Sequence, residues 1–280
     1  MADDTRSMDH TRRDFTALTA AGAVTIATSA HAAEVVESDV TIKTADGSCD
    51  AALFHPAGKG KWPAVLIWTD IFGLRPAFRD MGKRLAAQGY AVLIPNPFYR
   101  TSKAPGLSGP FDFGSPTDRA KLGTLTGPLT PDAVIRDATT FLAFLDSQKT
   151  VNKKVKAGVQ GYCMGGPLTM RTAAALPNRI GAGGSFHGGG LVTTLPDSPH
   201  LLVPKIKAKM YFGVASNDDQ KQPDAKDKLK VAFEAVGGSA KIEVYGALHG
   251  WCVPGSAVYN QADAEKAWAE LSALYRSALV

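Results

Sequence analysis

A cysteine, a carboxylate and a histidine, the residue types of nucleophilic acyl transfer, occur in that order along this 280-residue chain. Cys163 stands in Gly161-Tyr162-Cys163-Met164-Gly165-Gly166, Asp218 and Asp219 stand side by side after Ser216-Asn217, and His249 stands in Leu248-His249-Gly250-Trp251. A thiol attacks a carbonyl only as its thiolate, so a neutral imidazole must first take its proton. That imidazole needs a carboxylate to fix its tautomer and to stabilise the cation it becomes. A reactive residue with glycine two positions away on each side fits a sharp strand-to-helix turn that holds one side chain at its apex. The apex residue is commonly serine; here a thiol replaces the hydroxyl. The same six residues also fit a buried cysteine in a glycine-rich turn, and what separates the two readings is whether the rest of the chain delivers His249 and a carboxylate to the apex.

The elements that would do so are legible as pattern. An apolar segment at 155–160 leads into the turn, and a helical pattern at 164–175 leads out. Upstream, Val35–Thr44 alternates as an edge strand, Asp46-Gly47 signals a turn, and 51–54 closes the hairpin. Ala64–Trp68 is a continuous apolar run, the mark of a strand buried on both faces of a parallel sheet. A helix at 77–88 ends at Gly89, and a strand follows at 90–94. Thr130-Pro131-Asp132 is a helix start, with Thr as N-cap and Pro in the first turn. Strands at 181–186, 209–214 and 241–245 alternate with helices at 223–236 and 262–279. This alternation predicts a single α/β domain, a mostly parallel central sheet with helices on both faces.

Reactive groups in such sheets gather just past the carboxyl ends of the strands. Asp70-Ile71, Cys163, Asp218-Asp219 and His249 all fall there, whereas His55 and His200 do not. His187, in Phe186-His187-Gly188, follows the strand after the turn and is expected to line the pocket. Segment 96–130 is rich in Pro, Gly, Ser and Thr, with Phe98, Tyr99, Phe111 and Phe113 spread through it. It reads as one long loop, either a lid or substrate wall or a surface insertion.

Composition narrows the class of protein. The net charge is +5, but the basic residues are scattered among acidic and apolar ones, which argues against nucleic-acid binding. No run of about 20 apolar residues is present, so no stable membrane anchor is expected. Thr11-Arg12-Arg13-Asp14-Phe15, a weakly apolar run at 17–30 and Ala30-His31-Ala32 together resemble a bacterial twin-arginine export signal. The expectation is a signal peptide at 1–32, a working domain at 33–280, contact with the twin-arginine translocation machinery, and a periplasmic or secreted location. Of three cysteines, at least Cys163 or one other stays unpaired, and whether Cys49 and Cys252 pair is left open.

Gly161-Tyr162-Cys163-Met164-Gly165-Gly166 resembles the elbow of the dienelactone hydrolase family, carboxymethylenebutenolidase-like members of the α/β-hydrolase superfamily. Asp70-Ile71-Phe72-Gly73 resembles that family's acidic-Ile-Phe-Gly loop, and Phe212 to Asp218 and His249-Gly250-Trp251 resemble its acid and histidine segments. The resemblance implies an α/β-hydrolase fold, hydrolysis of a small-molecule ester or lactone by a Cys-His-Asp triad, and no metal or organic cofactor. Carried over residue by residue, Cys163 is the nucleophile, His249 the base and Asp218 the acid, with Asp219 reached by a one-residue slip. The backbone N–H groups of Ile71 and Met164 would form the oxyanion hole, and Trp251 would sit at the site. Two departures matter. Asp70 stands where the family commonly has Glu, and no arginine stands in Gly250-Trp251-Cys252-Val253-Pro254 directly after His249, which leaves Arg100 as the candidate for gripping an anionic substrate. The alternative outside enzymology is a binding or sensing protein on the same fold with little turnover. A thiol redox protein would need a resolving cysteine, for which only Cys252 is available.

Overall fold

The structure, a computed structural model, describes residues 34–107 and 109–279, so the signal expected at 1–32 lies outside the described residues. The chain opens with an antiparallel hairpin, β1 (Val35–Thr44) and β2 (Gly47–Pro56), turning at Asp46-Gly47. β3 (Ala64–Trp68), α1 (Pro76–Ala87) and β4 (Ala91–Pro95) follow. Then come α2 (Pro116–Thr126), α3 (Pro131–Ser147), β5 (Ala157–Tyr162), α4 (Gly165–Ala175) and β6 (Ile180–Phe186). After a 3₁₀ turn at Pro199–Lys205, the chain finishes with β7 (Lys209–Ala215), α5 (Ser216–Lys221), α6 (Ala225–Ala235), β8 (Ala240–Tyr245) and α7 (Gln261–Ala278).

The eight strands form one sheet in the order β1-β2-β4-β3-β5-β6-β7-β8. Neighbours from β4 through β8 run parallel, and β2 joins β4 antiparallel. The chain winds from β3 outward to β4 and then returns to the other side of β3 with β5. That reversal opens a crevice at the carboxyl ends of β3 and β5, the place where ligands bind in open α/β sheets. Asp70 leaves one of these strands and Cys163 the other.

Alternate strand residues feed two cores. Leu66, Leu93 and Val159 pack with Val134, Phe141, Met170 and Phe233 of α3, α4 and α6 on one face. Val65, Ile67 and Val92 pack with Phe78, Leu85, Trp268, Leu271 and Tyr275 of α1 and α7 on the other. Each fully buried side chain of this size contributes about 1.5–3 kcal/mol. Cys49 belongs to the first core and Cys252 to the second, so the sheet itself keeps them apart, and all three cysteines are free.

Two buried polar ties fix the crevice. Trp68 at the end of β3 donates Nε1–H to Thr172 Oγ1 of α4 at 3.0 Å. Gln160 in β5 accepts from Tyr275 Oη of α7 at 3.0 Å and donates to Tyr162 Oη at 2.8 Å. Together they clamp the strand before the turn and the helix after it to opposite layers of the protein.

Segment 96–130, expected as loop throughout, contains α2. Its start signals are present: Ser115 accepts from the Asp118 N–H, and Pro116 opens the first turn. Its amphipathic signal is absent, because Leu125 is the one buried residue of the helix. Periodicity cannot reveal a helix that buries almost nothing. The short α5 was likewise unmarked, being polar along its whole length. Thr130 caps α3 as expected, accepting from the Ala133 N–H at 3.3 Å.

Candidate active site

The turn between β5 and α4 is built by steric necessity. Cys163 adopts φ +53°, a left-handed conformation that costs about 1–3 kcal/mol for a side-chain-bearing residue and persists only where the surroundings enforce it. They do. The Cys163 N–H donates to the Phe186 carbonyl at 3.0 Å, and its own carbonyl accepts from the Gly166 N–H at 3.0 Å. A Cβ on Gly161 would collide with the Gly165 carbonyl, and one on Gly165 would lie 2.5 Å from the Trp68 carbonyl oxygen. Glycine at both positions therefore lets helix, strand and neighbouring strand end come close enough to raise the thiol into the crevice.

His249 arrives from the loop after β8. Its Nδ1 lies 2.6 Å from Asp218 Oδ2, and its backbone N–H donates to Asn217 Oδ1 at 2.8 Å. Asp219 turns away to Lys226 at 2.7 Å, so of the adjacent pair it is Asp218 that meets the imidazole. The sulfur of Cys163 and ring nitrogens of His187 and His249 all lie within 4.8 Å of one another. Burial opposes a charge on His249, but the hydrogen bond to Asp218 and the neighbouring Cys163 sulfur outweigh it and hold its pKa up at about 10.

His187 contrasts with this. It is 1% exposed, sits at φ +39°, and neither ring nitrogen has a hydrogen-bond partner. Its ring meets His249 edge-on at 4.8 Å and lies 6.1 Å from Tyr162 and 6.5 Å from Trp251. Burial first, then the neighbouring His249 charge, push its pKa down to about 3, so the ring is neutral.

These groups open into a cavity of about 820 Å³. Asp70, Ile71, Cys163, His187 and His249 lie in its wall, and Phe72, Leu107, Phe113, Val253 and Pro254 give that wall an apolar rim. Among the described residues no hydrogen bond uses the N–H of Ile71 or of Met164. These are two free donors beside the apex, on the β3 loop and at the start of α4.

Two expected positions, Arg100 and Trp251, are corrected. Arg100 is not in the cavity wall: it forks onto Asp137 at 2.8 Å through both terminal nitrogens and onto Asp46 at 2.6 Å. Asp137 is nearly inaccessible, and a buried carboxylate requires its own cation, so Arg100 is committed to it. Trp251 is wholly buried, stacked on Tyr245 at 4.3 Å, and supports the histidine loop from behind. Asp70 does face the cavity, but its carboxylate takes two bonds from Arg75, at 2.6 and 2.8 Å, and one from the Phe72 N–H at 3.0 Å. Both of its oxygens are thus engaged, Oδ1 twice and Oδ2 once.

Arg75 itself was not foreseen. It stands on the cavity wall, five residues after Asp70, with its guanidinium 5.4 Å over Phe72 and 4.9 Å over Phe78. The signal was local: an acid and an arginine bracketing the turn Ile71-Phe72-Gly73-Leu74 before the helix-starting Pro76. Asn217 carries no such signal, since only the fold brings it to His249.

Residues 49–279 match the family model described as the dienelactone hydrolase family. A provisionally named carboxymethylenebutenolidase of Synechocystis sp. is 27% identical over 245 residues, 86% of this chain and 96% of the relative. The carboxymethylenebutenolidase of Rhodococcus opacus is 32% identical over 187 residues, 66% of this chain and 68% of the relative. Among solved structures, a provisionally named dienelactone hydrolase from Klebsiella pneumoniae superposes with a TM-score of 0.76 at 20% identity, covering 87% of this chain and 99% of that one.

Proposed function

The chain belongs to the dienelactone hydrolase family and is a hydrolase of ester or lactone type, and from that premise we propose that it works through Cys163, His249 and Asp218 by way of a thiol-ester intermediate. The observation that carries this reading is the apex thiol at φ +53° beside an imidazole whose far nitrogen lies 2.6 Å from a carboxylate. His249 holds the catalytic proton as its imidazolium, and Cys163 adds to the substrate carbonyl as the thiolate. The Ile71 and Met164 N–H groups receive the developing oxyanion, an interaction that typically lowers the barrier by several kcal/mol. The alcohol leaves with the proton from His249+. The neutral imidazole then activates water, and the acyl group departs as the acid.

The substrate proposed is a neutral ester or lactone with an apolar portion. Phe72, Phe113 and Val253 supply apolar contact in the wall. Arg75 is the arginine there, and Asp70 already neutralises it. A substrate carboxylate would have to compete with a two-bond ion pair for that guanidinium.

The test is Cys163→Ala in the purified chain, assayed on a panel of aryl esters and lactones. Hydrolysis falls to background, and wild type quenched early in turnover carries an acyl mass adduct on the peptide containing Cys163. Undiminished turnover in the variant would falsify the scheme.

Export by the twin-arginine route to the periplasm is proposed on Arg12-Arg13, the weakly apolar run and Ala30-His31-Ala32 alone. Replacing Arg12 and Arg13 with lysine leaves the protein in the cytoplasmic fraction of a bacterial host if that is right; unchanged fractionation rejects it.

A further inference from the structure

The two histidines and the cysteine also make a second kind of site. Borderline-soft divalent metals such as Zn²⁺ favour thiolate and imidazole ligands, and a site with three protein ligands leaves the fourth tetrahedral position open. Cys163 Sγ and one nitrogen each of His187 and His249 already lie within 4.8 Å of one another. Ligand atoms around tetrahedral zinc stand about 3.3–3.7 Å apart, given bonds of about 2.0–2.3 Å. Closing that gap takes a movement of about an ångström, and His187 has no hydrogen bond to give up in making it. Its two buried, unpartnered ring nitrogens are an uncompensated cost in the metal-free protein, and coordination would satisfy one of them.

The surroundings supply what a zinc-binding histidine ordinarily requires. Asp218 holds the far nitrogen of His249 at 2.6 Å, the carboxylate–histidine arrangement that orients an imidazole toward a metal. The open position faces a cavity of about 820 Å³, room for a water or hydroxide as fourth ligand.

We propose that Cys163, His187 and His249 form a reversible Zn²⁺ site that takes the nucleophile and its base out of use when filled. A sulfur–metal bond forms at Cys163, the protons held by the Cys163 sulfur and by the metal-facing nitrogen of His249 pass to solvent, and each imidazole then donates a lone pair. No redox partner is involved. The binding stands on geometry alone; the inhibition rests on the reading of Cys163 as nucleophile.

The reduced, metal-free full chain is titrated with Co²⁺ and then Zn²⁺. One equivalent of Co²⁺ gives a thiolate-to-cobalt charge-transfer band with the intense visible bands of four-coordinate cobalt, and Zn²⁺ abolishes both. Ester hydrolysis falls in step with Zn²⁺ occupancy and returns on adding chelator. Cys163→Ser removes the charge-transfer band, His187→Gln and His187→Phe weaken Zn²⁺ binding roughly 100-fold, and Asp218→Asn weakens it about 10- to 100-fold. Zn²⁺ affinity within about threefold of wild type in a folded His187 variant overturns the site. So do weak six-coordinate cobalt bands in wild type, a criterion that holds even if His187 variants do not fold. Undiminished hydrolysis in Cys163→Ala, with the thiolate-to-cobalt band still present in wild type, would reject the catalytic scheme and leave the metal site standing.

Discussion

The two sides of the crevice are built on opposite electrostatic plans. Past β5, β6, β7 and β8, charge is concentrated: Asp218 and the apex thiol hold the His249 pKa at about 10, beside a neutral His187. Past β3 and β4, charge is cancelled in pairs. Asp70 is tied to Arg75 and Asp137 to Arg100, and Leu107 and Phe113 face the cavity with apolar side chains. In the mechanism proposed above, the first side moves protons and the second accepts a substrate without gripping it by charge.

The sharpest way to break that contrast is Asp218→Asn. Without the carboxylate His249 loses its fixed tautomer and the support for its cation, and kcat falls by about 10²–10⁴ with the fold retained by circular dichroism. A loss below about tenfold would shift the acid's role away from Asp218. On the opposite side, Arg100→Ala leaves the Asp137 carboxylate buried beside Tyr99 without its cation. Removing one partner of a buried pair costs about 3–5 kcal/mol, read as a lower denaturant midpoint, while KM stays within about twofold of wild type. A raised KM for anionic substrates with stability unchanged would return Arg100 to the site.

The histidines predict opposite pH slopes. His187 has its folded pKa depressed to about 3 from 6.5, so the unfolded chain takes up a proton that the native one refuses. Stability therefore falls as pH drops from about 6.5 toward 3, by a few kcal/mol for this residue, and His187→Phe flattens that part of the denaturation curve. His249 is raised from 6.5 to about 10, so its contribution is complete below about 6.5 and is lost as pH climbs through 10. His249→Gln removes the alkaline slope and leaves the acid one. An acid slope unchanged in the His187 variant would show that its ring ionises freely.

The smallest effect expected is in specificity. Asp70→Asn frees Arg75 at the cavity wall and shifts preference toward anionic esters by about tenfold, or about 1.4 kcal/mol. No change in the ratio of kcat/KM between anionic and neutral esters would mean that Arg75 does not reach the substrate.

Most of the scaffold was legible because its signals are local. Ala64–Trp68 is apolar throughout since both faces of β3 are covered, and Thr130-Pro131 states its cap outright. The missed elements, α2 and α5, bury one described residue between them, so there was no apolar stripe to read. Arg100 was misassigned for a different reason. Its partners Asp46 and Asp137 lie 54 and 37 residues away, and nothing in the spacing declares them.

What the sequence determined by itself is the apex: Gly161 and Gly165 flank Cys163 because backbone lies where their side chains would be, a constraint contained within five residues and the strand beside them. What only the tertiary structure decided is what meets that apex. The strand order set the ends of β6, β7 and β8 in succession beside β5, the course of the chain into α5 turned Asp218 to His249 and Asp219 to Lys226, and His187 was left buried with no side-chain partner. Those outcomes depend on which loop ends adjoin across the sheet. Chain spacing cannot encode that, because adjacency is decided by the packing of helices tens of residues away.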